Sequence, residues 1–350
     1  MIDPRLDPPP GLAARLLVRL ARVVLPLPSA RPAQIRNLLV VRTDDRVGNA
    51  LLTIPLVRAL QAALPGTEVD LLLAARRARV AEGLPRLRVI RFDKRAGPLG
   101  YLRFLRGLRG RYDVVIDAAH WHAFSVTSAL LSRWAARGWV IGSDRGPAEI
   151  YSAAAALPAA GIPDVRARLG LGAPLGLSLR STPLETALGR GPSPVAGRFA
   201  ALNPGARKQD HRWPAARFAE LAARLWRERE LRSVVFWGPG EEALAQEVVA
   251  ASPDAAELAP PTDLDQLAAA FRAADLIVTN DTGPMHLAVA CGAPVLGVFL
   301  DQAGLRWSHP GPLFEAVVAP ADVAPALLAA ARLLDRARSA AEPARTPEGP

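Results

Sequence analysis

Asp275-Leu276-Ile277-Val278-Thr279-Asn280-Asp281-Thr282-Gly283-Pro284-Met285-His286-Leu287-Ala288 reads as a buried strand that ends in a polar turn and continues as a helix. The helix carries Gly283 and Pro284 in its first turn, and the free N–H groups and positive dipole end of such a start favour an anion. Thr282 adds a hydroxyl, and His286 lies four residues later on the same helical face. That placement makes His286 a site candidate rather than a buried core histidine. Cys291, set among Ala, Val and Gly, reads as a small buried hydrophobe.

Working outward, apolar runs alternate with segments of helical period. In the first half 38–41, 69–73, 88–92, 114–116 and 139–141 read as strands, with 50–64 and 124–136 helical. The second half repeats the rhythm at 199–202, 233–237, 276–279, 295–299 and 316–318. Such alternation predicts α/β architecture, with doubly wound parallel sheets covered by helices on both faces. The expected organisation is an N-terminal domain over 37–168, a linker over 169–198 rich in Gly, Pro, Ser and Thr, and a C-terminal domain over 199–338. Residues 339–350 are expected to form a disordered tail. The uncharged run 282–300 is long enough to span a bilayer, but Gly283, Pro284, Gly292, Pro294 and Gly297 punctuate it, so it reads as helix, turn and strand.

Composition sets the outer limits. A chain of 350 residues suggests about two domains, and its apolar content excludes a disordered polymer. One cysteine excludes an internal disulfide framework and a multi-cysteine zinc site. The net charge of +10 is concentrated: residues 76–111 hold twelve Arg or Lys against Glu82 and Asp93. No zinc-finger spacing or RNA-recognition signature accompanies that segment, so no nucleic-acid partner is expected. An anionic substrate or an anionic membrane surface fits it better. Residues 1–36 contain a basic amphipathic pattern, with Arg15, Arg19 and Arg22 among leucines, that reads either as a helix on an anionic bilayer or as one packed on its own domain. The same arginines interrupt any secretory apolar core.

Three further turns carry polar chemistry. Arg42-Thr43-Asp44-Asp45-Arg46-Val47-Gly48-Asn49 follows the first strand, where Asp44 or Asp45 serves either as a general base or as a turn former. Asn203-Pro204-Gly205-Ala206-Arg207-Lys208-Gln209-Asp210-His211-Arg212 gathers four potential cations suited to a diphosphate. Gly238-Pro239-Gly240-Glu241-Glu242 allows close backbone approach, and its acids suit ribose hydroxyls. On the segment that carries Arg103, Arg106 and Arg109, the expectation is that Leu99, Leu102 and Leu105 lie roughly opposite.

These pieces, with Tyr112-Asp113-Val114-Val115-Ile116-Asp117 and Arg212-Trp213-Pro214-Ala215-Ala216-Arg217-Phe218, resemble glycosyltransferase family 9, the ADP-heptose:lipopolysaccharide heptosyltransferases and their relatives, over about residues 37–300. The resemblance implies a GT-B fold, two Rossmann-like domains facing a central cleft, with the acceptor on the first half and the nucleotide sugar on the second. It implies an inverting transfer of a sugar, with ADP-heptose as the donor, that uses no metal and no cofactor. It places Asp281, Thr282, Gly283 and His286 at the donor's diphosphate and sugar, and Asn203, Lys208, His211, Gly238, Glu241, Asn280 and Pro284 of the same turns are read as donor-binding beside them. The acceptor side is then read as Arg42, Arg46, Gly48, Arg103 and Arg106. The acceptor is expected to be an anionic glycolipid or cell-surface polysaccharide, and the enzyme to be cytoplasmic with peripheral contact at the inner membrane face.

Two positions depart from the family pattern. Gly48-Asn49 stands where Gly-Asp is usual, and that Asp is the family's proposed base, so Asp45 is preferred here as the nearer replacement and Asp44 as the other. His211 stands where a Lys precedes Arg212-Trp213-Pro214, leaving Lys208 or Arg207 to supply the cation. The alternative is a catalytically silent sugar-nucleotide-binding protein of the same fold.

Overall fold

The structure, a computed structural model, describes residues 11–341 apart from Ser29, Gly146, Pro147, Lys208 and Ala319. The chain divides into two units between Ala187 and Leu188. The division falls inside the stretch 169–198, which is hydrogen-bonded on both sides of it. Thr186 Oγ1 and the Ala187 N–H both donate to Val80 O in the first unit, whereas the Gly189 N–H donates to Asp265 in the second.

The first unit opens with α1 (Leu12–Val24) and then builds a sheet from β1 (Asn37–Arg42), β2 (Glu68–Ala74), β3 (Arg88–Phe92), β4 (Tyr112–Asp117), β5 (Ala136–Ser143) and β6 (Ala153–Ala155). Its helices are α2 (Val47–Leu51), α3 (Ile54–Ala63), α4 (Gly97–Leu108), α5 (Val126–Ala135) and α6 (Asp164–Ala167). All strand pairs are parallel, in the order β3-β2-β1-β4-β5-β6. The expected helix 50–64 is two helices, because Pro55 has no N–H to give Leu51 and the Thr53 hydroxyl donates to Asn49 O instead. Leu39, Val41, Leu72 and Val115 alternate onto one face, where α4 and α5 cover them with Leu108, Leu131 and Ala135.

The second unit repeats the plan with β7 (Ala200–Asn203), β8 (Ser233–Val235), β9 (Ala256–Leu258), β10 (Leu276–Asn280), β11 (Val295–Phe299) and β12 (Phe314–Val318). Around them lie α7 (Ala215–Arg229), α8 (Glu242–Ala251), α9 (Leu264–Ala273), α10 (Gly283–Ala290) and α11 (Ala324–Ala341). The order β12-β11-β10-β7-β8-β9 is again wholly parallel. Residues 283–290 and 295–299 form the helix and strand expected of the uncharged run, and no described helix is long and apolar enough to cross a membrane. Helix α11 continues through the first residues of the stretch expected to be a tail, because its apolar stripe of Ala326, Ala330, Leu333 and Leu334 anchors it to the core. Residues 342–350 lie outside the described residues.

In each sheet the order reverses once, between β1 and β4 in the first unit and between β7 and β10 in the second. Chains leaving two such neighbouring strands depart to opposite faces, which opens a crevice beyond their carboxyl ends. Gly142 helps to shape the first one: a Cβ there would run into the Tyr151 ring, whose hydroxyl donates to Asp117 Oδ2 at the end of β4 (2.8 Å). Gly142→Ala is expected to destabilise the first unit by about 1–3 kcal/mol. An unchanged urea midpoint for that unit would show that the ring yields.

Candidate functional site

At the β1/β4 reversal a buried charge network fills the turn after β1. Arg42 is fully buried; its Nη1 donates to Ala118 O (2.5 Å), its Nη2 to His120 Nε2 (2.8 Å), and its Nε pairs with Asp44. Burial, then the Arg168 guanidinium, pushes the Arg42 side chain down to about 10. Asn49 Nδ2 donates both to Asp44 Oδ1 (2.8 Å) and to His120 Nε2 (3.0 Å). Since Arg42 and Asn49 are donors, His120 Nε2 is an acceptor, and the ring is neutral with its proton on Nδ1. Burial and the neighbouring Arg42 hold the His120 pKa far below the usual imidazole range. Arg168, from beyond α6, pairs with Asp164 and donates to the same Ala118 carbonyl (3.2 Å).

The loop that carries His120 is itself anchored. Asp117 accepts from the Ala119 N–H, from Ser128 Oγ (2.6 Å) and from the Tyr151 hydroxyl. Asp45, in contrast, lies outside the network on the exposed side of the turn, paired with Arg77 (2.9 Å) and Arg76 (3.7 Å). Arg46 is exposed and Gly48 buried. Arg103 and Arg106 are exposed on α4. The helix does not divide as expected: Leu105 packs inward with Phe104 and Leu108, but Leu99 and Leu102 share the exposed side with Arg103 and Arg106. Residues three or four apart fall on one side of a helix, so leucines interleaved with those arginines cannot all oppose them.

At the β7/β10 reversal the buried polar groups are amides. Asn203 Nδ2 donates to Thr279 Oγ1 (3.3 Å) across paired strand ends. Asn280 is fully buried, accepting from the Trp213 N–H (3.0 Å) and donating to Pro204 O (2.8 Å). Asn280 therefore ties the 204–213 loop to β10. Gly205 leaves room for the Glu241 carboxylate, which accepts from the Gly238 N–H (3.2 Å) and pairs with Arg212 (3.6 Å). Arg207 and His211 are exposed on that loop, and Lys208 lies outside the described residues.

Asp281, Thr282, Gly283 and Pro284 are half-buried at the start of α10. The Thr282 hydroxyl turns back to Asn280 O (3.3 Å) and does not cap the helix, so the Gly283 amide meets no side-chain cap. Burial and the nearby Asp301 push the Asp281 carboxyl up to about 7, with Arg306 opposing them. His286 is buried and shares a 2.7 Å hydrogen bond, Nδ1 to Nε2, with His309. Burial lowers His309 to about 4, so it is neutral. Its Nδ1 meets no partner among the described residues, and a buried bare lone pair costs less than a buried orphan N–H. The proton then sits on His309 Nε2, which donates to His286 and leaves the His286 proton on Nε2. Among the described residues no group of three or more His, Cys, Asp or Glu is gathered for a metal.

His120, Arg168 and His309 are the participants that sequence reading misses. His120 had a signal, since it stands three residues beyond the strand that ends at Asp117. Arg168 and His309 had none.

The pattern of glycosyltransferase family 9 (heptosyltransferase) matches residues 101–322. A segment of 103 residues is 32% identical to lipopolysaccharide heptosyltransferase 1 of Campylobacter coli, covering 28% of this chain and 30% of that relative's length. Among solved structures, E. coli heptosyltransferase WaaC with ADP aligns with a TM-score of 0.66 at 24% identity, over 87% of this chain and 99% of that one. E. coli ADP-heptose lps heptosyltransferase II aligns at 0.65 and 21%, over 86% and 99%. The fold is thus that of the GT-B heptosyltransferases.

The Asp44–Asn49 contact makes a specific prediction. Asn49→Asp removes a donor from His120 and sets a second carboxylate beside Asp44, and one of two such neighbours holds its proton abnormally tightly. The folded variant then binds more protons than the unfolded chain between the ordinary carboxylate pKa and the raised one. Stability should fall as pH rises through that window and return on acidification, with a loss of about 1–3 kcal/mol at neutral pH. Urea unfolding at several pH values measures it; a pH-independent difference would refute the like-charge account.

Proposed function

The chain belongs to glycosyltransferase family 9, and from that premise we propose that it moves a sugar from a nucleoside diphosphate donor to a hydroxyl of a lipopolysaccharide-like glycolipid or cell-surface polysaccharide. ADP-heptose is the proposed donor, as the names of its relatives suggest. The observation that carries the reading is the 280–286 turn, where an uncapped helix start and a positioned histidine occupy the strand-order reversal of the second unit.

In the proposed reaction the acceptor oxygen bonds to the anomeric carbon as the bond from that carbon to the diphosphate oxygen breaks, inverting the centre. The acceptor proton passes to a carboxylate of the first unit. Asp44 takes that role ahead of Asp45, because Arg42 and Asn49 hold Asp44 at the buried network while Arg76 and Arg77 hold Asp45 on the exposed side of the turn. The Gly283 amide, the α10 dipole and cations of the 207–212 loop stabilise the departing diphosphate, so the scheme calls on no metal. His286, through its Nε2 proton, donates to the donor's phosphate or sugar oxygens.

A silent sugar-nucleotide binder is the second reading, and Asn49 in place of the family's usual acid favours it. Turnover of ADP-heptose separates the two. Asp44→Asn is expected to lower kcat by about 10²–10⁴-fold, with Asp45→Asn near wild type and the donor-induced rise in Tm kept in both. Full activity in Asp44→Asn would remove the base assignment, and no thermal shift with any nucleotide sugar would remove the reading itself.

The acid at the helix start adds a pH signature. Below about 7 Asp281 is neutral; above it, an ionised carboxylate faces the donor's diphosphate. Donor affinity, measured by calorimetry, is expected to fall as pH rises through 7, and Asp281→Asn to flatten the profile. A wild-type affinity with no step near 7 would exclude this contact.

A further inference from the structure

Helix α1 is packed the wrong way round for a helix of a water-soluble surface. Such a helix turns its apolar side to the core and its charges outward. At 3.6 residues per turn, α1 has three sectors. Ala14, Val18 and Ala21 form a narrow stripe, and Val18 and Ala21 pack on Ala129 of α5 and on Ile150. Leu12, Leu16, Leu17, Leu20, Val23 and Val24 form a broad apolar face, and they are exposed, from 49% for Leu17 to 78% for Val23. Arg15, Arg19 and Arg22 fill the sector between.

This orientation is fixed. Arg133 of α5 is buried and donates through Nε to Leu25 O (2.7 Å), just past the end of α1, and through Nη1 to Ile150 O (2.9 Å). The small-residue stripe is therefore the docked one, and the leucines have no place left in the core.

Helix α4 presents a second face of the same kind. It packs against α5 as α1 does, and its outer side shows Leu99 (78% exposed) and Leu102 (47%) beside Arg103 and Arg106. Neither helix contains an acidic residue. A protein-binding face concentrates apolar groups in a core depleted of charge, whereas here arginines alternate with aliphatic side chains on both helices. Aliphatic groups that enter the acyl boundary, flanked by cations at headgroup level, match an anionic bilayer surface.

We propose that the exposed faces of α1 and α4 form a membrane-docking surface, with the α1 leucines inserting shallowly into an anionic lipid leaflet and the arginines pairing with its headgroups. The two site turns take no part, so the proposal stands or falls apart from the transferase reading.

Cosedimentation of the full chain with phosphatidylcholine vesicles, with and without phosphatidylglycerol, tests it. Wild type should pellet with the anionic vesicles and stay in solution with the neutral ones. The pair Leu16→Gln and Leu20→Gln should weaken binding about tenfold, and Leu99→Gln with Leu102→Gln by less. Arg15→Gln, Arg19→Gln and Arg22→Gln together should weaken it about fivefold per arginine and remove its salt dependence. An unchanged Tm and nucleotide-sugar thermal shift confirm that each variant is folded. The proposal is overturned if wild type ignores anionic vesicles or if the leucine pair binds them as wild type does. A vesicle-free dimer abolished by the leucine pair would also overturn it, making the face a contact between copies.

Discussion

Both crevices depend on one constraint: where the strand order of a parallel sheet reverses, the chain cannot cover the ends of the two strands it separates. Backbone groups there lose their sheet partners and still lie below the surface, so buried polar side chains must satisfy them. The second unit meets the demand with Asn203 and Asn280, bonded to Thr279, Trp213 and Pro204. The first meets it with Arg42 and Arg168, which converge on the Ala118 carbonyl. Everything proposed to touch a ligand is set on these struts.

The two solutions differ in what they ask of the solvent-facing residues. Amide struts are neutral, so they add no charge of their own at the start of α10. Guanidinium struts bring charge, and Asp44 and Asp164 balance it. That balance gives a physical account of the departure at residue 49. With Asp44 already beside Arg42, an acid at 49 would add like charge, whereas the Asn49 amide donates to Asp44 and His120 together.

Ten of the twelve described strands were legible as apolar runs; most are buried along their length, while β3 and β12 are partly buried edge strands whose five-residue runs still carry the pattern. The two that were not legible, Ala153–Ala155 and Ala256–Leu258, are short edge strands. Short edges need less side-chain hydrophobicity, so they leave little pattern. The 280–286 turn was legible because its chemistry is contiguous in sequence. His120 meets Asn49 across 71 positions and His309 meets His286 across 23, so neither pairing follows from local spacing. The same limit explains α4, where counting residues located the arginines but could not say which side the sheet would cover.

The polar struts have a further consequence for how such a chain can change over generations. Every hydrogen bond described at the β1/β4 turn stays within the first unit, and every one at the β7/β10 turn within the second. Neighbouring residues also anchor to different units: the Ala187 N–H donates to Val80 O, while Leu188 O accepts from Arg272. Each half thus carries the whole support of its own crevice. Substitutions that retune one half's ligand leave the other half's framework untouched, so the two specificities can drift independently, or be inherited from different ancestors by recombination near residue 187.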